Sequence, residues 1–361
     1  MEDNQNNKSP GMDALLAVIR DMVGEVHPHW KNLHFLPDTH LERELGLDSM
    51  ARAELHGRIE QSLGITLPGN AAVLAANAGE LMRIIEHPDI QPDSSGAYGS
   101  NASDLLMGEF STASNVVASR QRTVGEWLFA LYAWPVFSLL AVLAWLLVVL
   151  TPTEGARRKV AHWCARLLFM LTFTPLKVSG HEHLDPHNAQ IIVANHTSYL
   201  DGIIVTAALD TGIHFIVKGE LARIAPLRVL LQRFGVEFVD RFNASKGASD
   251  VGRIADKVRM GQSIVFFPEG TFTTFEGLQP FRMGAFVTAA RAQVPVVPVA
   301  IKGARTIQRG SDWFPQRGSI EVTILPPIQP DGEGWQVALD LRNASRAEIA
   351  PHTGEPDLAK D

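Results

Sequence analysis

Apolar positions fall into three regimes along the 361-residue chain. In the first, Leu15, Ile19, Met22 and Val26 recur at the three- and four-residue spacing of an amphipathic helix, which Pro28 ends. After a loop holding Pro37 and the polar run Asp38-Thr39-His40, a second helix opens at Asp48 and continues through Leu55, Ile59 and Leu63. Pro68 and Gly69 break the chain again, and a last helix through Leu81, Ile84 and Ile85 stops before Pro88. Residues 11–87 therefore read as a small all-α, four-helix domain. The second regime is the run Trp127–Leu150, 24 residues without a charge, long enough to cross a bilayer and carrying Trp127, Tyr132, Trp134 and Trp145 as interface anchors. A shorter apolar stretch, Val160–Leu176, broken by His162 and Arg166, completes a hydrophobic membrane anchor over 127–176.

In the third regime, short apolar runs alternate with helical spacing. Ile191–Ala194, His214–Lys218, Val236–Val239, Ser263–Phe267, Val296–Ile301 and Ser319–Leu325 are predicted strands. Leu227–Phe234, Ala248–Met260 and Ala285–Ala292 are predicted helices, so residues 177–330 form an α/β layered domain. Residues 331–361 hold an amphipathic helix over Trp335–Ile349 and then a polar tail from Glu355 that is expected to be disordered. Between the helical domain and the apolar run, residues 88–126 have the Pro, Ser and Gly content of a flexible tether, spanning on the order of 30 Å as a coil.

Composition sharpens this in a few places. A hydrophobic content of 46% allows a full core and a membrane segment together, and a formal charge of −7 argues against nucleic acid as a partner. The one cysteine, Cys164, excludes an intramolecular disulfide and lies in an apolar segment that suits inert packing. The first dozen residues are polar, so no cleavable signal peptide is visible and the amino terminus is expected in the cytosol. The cluster Arg157-Arg158-Lys159 is expected on the same side.

The chemistry concentrates where strands end. Ile191–Ala194 runs into Asn195-His196-Thr197-Ser198-Tyr199-Leu200-Asp201. Residues five apart on one helix point about 140° away from each other, so contact between His196 and Asp201 needs a turn. His196 is expected on the loop leaving the strand and Asp201 at the start of the next helix, where the carboxylate fixes the imidazole. Three further signals follow: Lys218-Gly219-Glu220-Leu221, Phe238-Val239-Asp240-Arg241 and Phe267-Pro268-Glu269-Gly270-Thr271. This ordered set resembles the glycerolipid acyltransferase family typified by lysophosphatidic acid acyltransferases. The resemblance implies that His196 is the general base taking the proton from an acceptor hydroxyl and that Asp201 orients it. It also implies that Glu269, Gly270 and Thr271 line the acceptor pocket and that Arg241 binds the acceptor phosphate, with Lys218 offering a second positive charge. Ser198 lies too near His196 in sequence for an organised nucleophile, and the family transfers directly without an acyl-enzyme. The cluster His181-Glu182-His183 with His187 lacks matching ligands elsewhere, and no metal is expected.

In the helical domain, Gly46-Leu47-Asp48-Ser49-Met50 gives the segment a resemblance to acyl carrier proteins. That resemblance implies 4′-phosphopantetheine attached at Ser49, installed by a phosphopantetheinyl transferase, with its thiol carrying an acyl thioester. Asp48 is a natural N-cap, so Ser49 falls at an exposed helix start whose N–H groups and dipole suit a phosphodiester. Residues 11–87 hold 11 Asp and Glu against six Lys and Arg, yet Arg52 and Arg58 sit on the helix that free-standing carriers keep acidic. That departure fits a carrier dedicated to one neighbour.

Together these readings describe a multidomain, membrane-associated O-acyltransferase on the cytosolic face, with a bacterial inner membrane as the setting. Its donor is an acyl carrier, in cis, or acyl-CoA, and its acceptor a membrane lysophospholipid such as lysophosphatidic acid. Because loading of Ser49 is cytosolic in the carrier family, Trp127–Leu150 is not expected to cross alone. It either re-enters, bent at Pro135, or pairs with 160–176 as a hairpin or in-plane anchor. Two rivals remain: an acyltransferase on another lyso-lipid, such as an amino-acid lipid or glycolipid, and a non-catalytic membrane-tethered carrier.

Overall fold

The computed structural model describes residues 11–30, 33–68, 71–87, 122–209, 212–239, 244–270, 276–308 and 314–358. The chain divides into two compact units, one built chiefly on residues 11–87 and the other on Arg122–Phe242 and Ser249–Asp361, with the short segment Asn243–Ala248 grouped with the first. Most of the tether, 88–121, lies outside the described residues.

Among the described residues the first unit has four α-helices: α1 (Met12–Val26), α2 (Ser49–Leu63), α3 (Ala71–Leu74) and α4 (Ala78–Glu86). Helix α1 buries the stripe its spacing predicts, Leu15, Ile19, Met22, Val23 and Val26, against Leu55, Ile59 and Leu81, themselves fully buried on α2 and α4. Asp48 caps α2 by accepting from Met50 N and Ala51 N at 3.0 and 2.8 Å. Asn77 caps α4 at Glu80 N, 2.8 Å, while Glu80 reaches back to Ala76 N at 2.7 Å. The two arginines of α2 correct the expectation drawn from them. Arg52 is buried, donating to the carbonyls of Ala72 and Ala75 at 3.3 and 3.2 Å, and Arg58 pairs with Glu25 of α1 and Glu54 at 2.8 and 3.1 Å. Their charges are spent inside the domain, tying α2 to α3 and to α1, so they do not argue for a dedicated partner.

The second unit begins with α5 (Val124–Leu150), opened by a capping box between Thr123 and Glu126. It is assigned as one continuous 27-residue helix that contains Pro135. Thr151–Thr153 turn the chain into α6 (Glu154–Leu171), which packs back along α5. Arg157 holds the turn by donating to the carbonyls of Thr151 and Pro152, at 2.8 and 2.6 Å, where α5 leaves carbonyls unpaired. Only 17% of the apolar window of α5 is buried, too little for a core helix, and Trp127, Leu128, Leu131, Leu139 and Leu150 stand exposed. The second apolar stretch ends earlier than its composition predicts. α6 stops at Leu171, Phe173 takes a left-handed conformation, and Leu176 already belongs to a strand, because the sheet's edge recruits it.

The α/β core contains β1 (Leu176–Ser179), β2 (Ile191–Ala194), α7 (Asp201–Ala208), β3 (Ile213–Lys218), α8 (Ala225–Arg233), β4 (Glu237–Val239), α9 (Ala244–Arg259), β5 (Ser263–Phe266), α10 (Gly284–Ala292), β6 (Val296–Lys302), α11 (Ala304–Ile307), β7 (Ile320–Ile324) and α12 (Trp335–Thr353). The strands form one sheet in the order β1-β7-β6-β2-β5-β3-β4, parallel throughout except for the β6–β7 pair. All four β2 residues are buried, which explains its continuous apolar run: helices cover a parallel sheet on both faces. β2 and β5 lie side by side, so their carboxyl ends open into one crevice. The tail is not disordered where it is described. Beyond α12, four residues longer than predicted, Glu355 pairs with Arg305 and Asp357 with Arg346. Composition cannot reveal such distant partners.

Candidate active site

Asn195, fully buried, extends the β2–β6 ladder past the strand: its Nδ2 donates to Ile301 O at 2.9 Å and its Oδ1 accepts from Ile301 N at 2.7 Å. The next residue, His196, leaves the sheet at a fixed point. The turn returns to α7, whose first residue, Asp201, is wholly buried. One carboxylate oxygen, Oδ2, accepts from His196 Nδ1 at 2.8 Å, Thr197 N at 2.6 Å and Ser198 N at 2.8 Å. The predicted contact therefore forms, and Asp201 also shapes the turn that creates it. A proton on Nδ1 toward the carboxylate makes Nε2 the basic nitrogen of a ring whose side chain is 20% exposed. The imidazole lies against Phe267, with ring centroids 4.6 Å apart and planes 26° from parallel.

Glu269, on the loop leaving β5, holds the backbone of the same histidine. Its Oε1 accepts from His196 N at 2.6 Å and its Oε2 from Gln279 N at 2.9 Å. Burial pushes its carboxyl up to about 7, while the two N–H bonds and Arg346 act against that rise and Asp201 adds to it. Gly270 turns at φ +77°, and a Cβ there would sit 2.7 Å from Arg282 Nε, so the tight turn keeps Glu269 pointed at His196. Ser198 Oγ donates to Gln308 O at 2.9 Å and is buried, which spends the hydroxyl on the fold.

The structure thus brings His196, Asp201, Glu269 and Gly270 together at the carboxyl ends of β2 and β5. Lys218 closes β3, and only its backbone is described. Arg241 and Thr271 lie outside the described residues. Among the described residues no group of three His, Cys, Asp or Glu side chains converges, and His183 engages Ile324 O through Nδ1 at 2.9 Å. Asn195 and Phe267 stand inside the sequence motifs, but their contacts, like the roles of Gln279 and Arg346, leave no mark in the sequence. Gln279 acts through its main-chain N–H, which leaves no mark on side-chain type, and Arg346 arrives from a helix near the other end of the chain.

In the first unit, Ser49 is the first residue of α2, half-exposed, its hydroxyl without a hydrogen bond among the described residues. That leaves the Oγ accessible for a covalent phosphodiester, so the residues fit 4′-phosphopantetheine. One detail differs from expectation. Asp48 occupies the N–H groups of Met50 and Ala51, so the helix end acts on a phosphodiester through its dipole rather than through those amides.

Comparison with known proteins supports the division. Residues 175–302 match the family model described as Acyltransferase, and residues 14–85 match Phosphopantetheine attachment site. The chain is 32% identical over 177 residues to the chloroplastic 1-acyl-sn-glycerol-3-phosphate acyltransferase BAT2 of Brassica napus, covering 48% of this chain and 51% of that protein. Against 1-acyl-sn-glycerol-3-phosphate acyltransferase beta of Homo sapiens it is 30% identical over 154 residues, 41% of this chain and 55% of the other. The chain spans about half the length of the curated relatives it matches. The crystal structure of the 1-acyl-sn-glycerophosphate acyltransferase PlsC from Thermotoga maritima shares the fold, with a TM-score of 0.54 and 21% identity over 64% of this chain and 95% of that one.

Proposed function

With an acyltransferase domain of the lysophosphatidate-acyltransferase type at 175–302 and a phosphopantetheine-attachment domain at 14–85, we propose that this protein is a membrane-associated O-acyltransferase acting on the free hydroxyl of a lysophospholipid such as lysophosphatidic acid. The observation that carries the reading is the His196–Asp201 pair at the mouth of the sheet. An alcohol is a weak nucleophile at neutral pH. His196 Nε2 takes the hydroxyl proton as the oxygen attacks the donor thioester carbonyl, and Asp201 holds the imidazole and stabilises the positive charge it gains. When the thioester collapses, the ester C–O bond replaces the C–S bond and the imidazolium returns its proton to the departing thiolate. Glu269, Gly270 and Thr271 border the acceptor, and Arg241, aided by Lys218, meets its phosphate as the family resemblance implies. Direct transfer is consistent with Ser198, whose hydroxyl is engaged by Gln308 O.

Phosphopantetheine on Ser49, placed there by a phosphopantetheinyl transferase, supplies a flexible thiol that carries the acyl chain as a thioester. Tethering that donor in cis through residues 88–126 raises its effective concentration; acyl-CoA is the alternative donor. The exposed apolar side chains of α5, with α6 packed beside it, suit an anchor lying in the plane of the membrane surface, which keeps both domains on the cytosolic face of a bacterial inner membrane.

The test combines two variants of the full chain, produced with a phosphopantetheinyl transferase and given lysophosphatidate in vesicles. His196→Ala is expected to lower transfer by about 10²–10⁴-fold. Ser49→Ala is expected to lose the intact-mass increment of the prosthetic group, and transfer from the carrier with it. An active His196→Ala protein would sink the base assignment. A Ser49→Ala protein unchanged in mass and in activity would sink the carrier assignment.

A further inference from the structure

The chain leaves α12 at Gly354 and runs back as a short arm, Gly354–Leu358. Leu278 N donates to Pro356 O at 2.8 Å and Leu358 N donates to Leu278 O at 3.2 Å, pairing the arm as an added strand with the loop after β5. Gly277 takes φ +134° there, and a Cβ would fall 2.4 Å from Leu358 Cγ, so the arm lies directly on the loop. Glu355 accepts from Gly277 N at 3.0 Å and from both Nε and Nη2 of Arg305, at 2.7 and 3.0 Å. Asp357 accepts from Arg346 Nε at 2.9 Å and from its Nη2, and the same guanidinium donates to the carbonyls of Leu278 and Gln279. These four side chains are 9–14% exposed, so they are not solvated surface pairs.

Both grips end on the His196 turn. Gln279, whose carbonyl Arg346 holds, donates its N–H to Glu269, and Glu269 accepts the N–H of His196. Arg305 belongs to α11, and Gln308, which follows that helix, accepts from Ser198 Oγ. Buried ion pairs contribute little net stability but penalise alternative arrangements, which suits a device whose task is geometry.

Taking His196 as the base, as proposed above, we infer that the C-terminal arm sets its position through Arg346, Gln279 and Glu269, which makes Arg346 and Asp357 positioning residues for acyl transfer. The arm and the base are more than 150 residues apart in sequence, so the catalytic turn is completed only when the last residues of the domain have docked.

The experiment measures steady-state transfer by the full-length protein, with acyl-CoA as donor and lysophosphatidate as acceptor, in wild type, Asp357→Asn, Arg346→Gln, Arg346→Lys and His196→Ala. Thermal unfolding is recorded for each. Arg346→Gln and Asp357→Asn are expected to lower kcat by about 10- to 100-fold, the scale of a misplaced catalytic group, with the folded fraction retained. The pH profile separates positioning from folding. The titratable and charged groups near Glu269 are His196, through its main-chain N–H, and Asp201 from the turn and Arg346 from α12, with Arg282 against the adjacent Gly270. Loss of the Arg346 charge removes an influence that favours the carboxylate, so the acid limb of the kcat profile moves to higher pH in Arg346→Gln and returns toward wild type in Arg346→Lys. Wild-type kcat and limb in both Arg346→Gln and Asp357→Asn would overturn the inference, as would a loss that follows the folded fraction alone. If Arg346→Gln does not fold, the isosteric Asp357→Asn decides by kcat. His196→Ala retaining activity would instead remove the premise, a result separable from failure of the arm variants.

Discussion

Glu269→Gln offers a quantitative test of the loop that holds His196. Burial raises this carboxyl from 4.5 to about 7, so the folded protein binds the proton more tightly than the unfolded chain. The sign follows: ionising Glu269 costs nothing below the unfolded value, costs progressively more as pH rises from 4.5 to about 7, and carries its full cost above that. At 1.36 kcal/mol per pH unit the full cost is roughly 3 kcal/mol. Glutamine cannot ionise and resembles the protonated acid that wild type carries at low pH, but its amide NH2 faces one of the two donors, His196 N or Gln279 N, where the acid's hydroxyl oxygen can still accept. The lost hydrogen bond costs about 1–3 kcal/mol and does not vary with pH. The variant should be the less stable protein at about pH 5, and by about pH 8.5 the difference should have moved roughly 3 kcal/mol in its favour. For a unit of this size the movement amounts to about 6–12 °C in melting temperature. Tryptophan fluorescence during thermal unfolding in detergent micelles is a suitable probe, because six of the seven tryptophans lie in the second unit. Melting temperatures of variant and wild type that run parallel from about pH 5 to pH 8.5 would refute the reasoning, since Glu269 would then not titrate in that window.

Two further substitutions examine other parts of the account. Ser198→Ala removes the donor to Gln308 O and should lower stability by about 1 kcal/mol while steady-state kcat stays within about fivefold; a loss of about a thousandfold would restore a nucleophilic role for the hydroxyl. Arg52→Ala strips the donor from the carbonyls of Ala72 and Ala75 and should destabilise the first unit by about 1–3 kcal/mol, read as lost hydrogen-exchange protection in α2. Unchanged protection with impaired donation from the carrier would mark Arg52 as a docking residue.

Much of this protein is written in short-range pattern. The stripe Leu15, Ile19, Met22 and Val26 specifies α1, and the Asp48 cap specifies where α2 begins and hence that Ser49 stands at its start. The apolar run of α5 and the strand of β2 are equally legible, because periodicity and capping act between residues a few positions apart. The His196–Asp201 contact is readable for the same reason: the two lie five positions apart, and Asp201 ties down the N–H groups of Thr197 and Ser198 in the turn between them. Tertiary structure decided the rest. Arg52 and Arg58, which read as surface charge, are consumed by Ala72, Ala75 and Glu25, and Leu176 leaves an apolar stretch to pair with Ile320. Gln279 reaches Glu269 through a main-chain N–H that any residue but proline could supply, so its identity carries no signal. The tail from Glu355 looks soluble and unstructured until Arg305 and Arg346 are brought to it, since the value of a charge depends on the partner that folding places opposite.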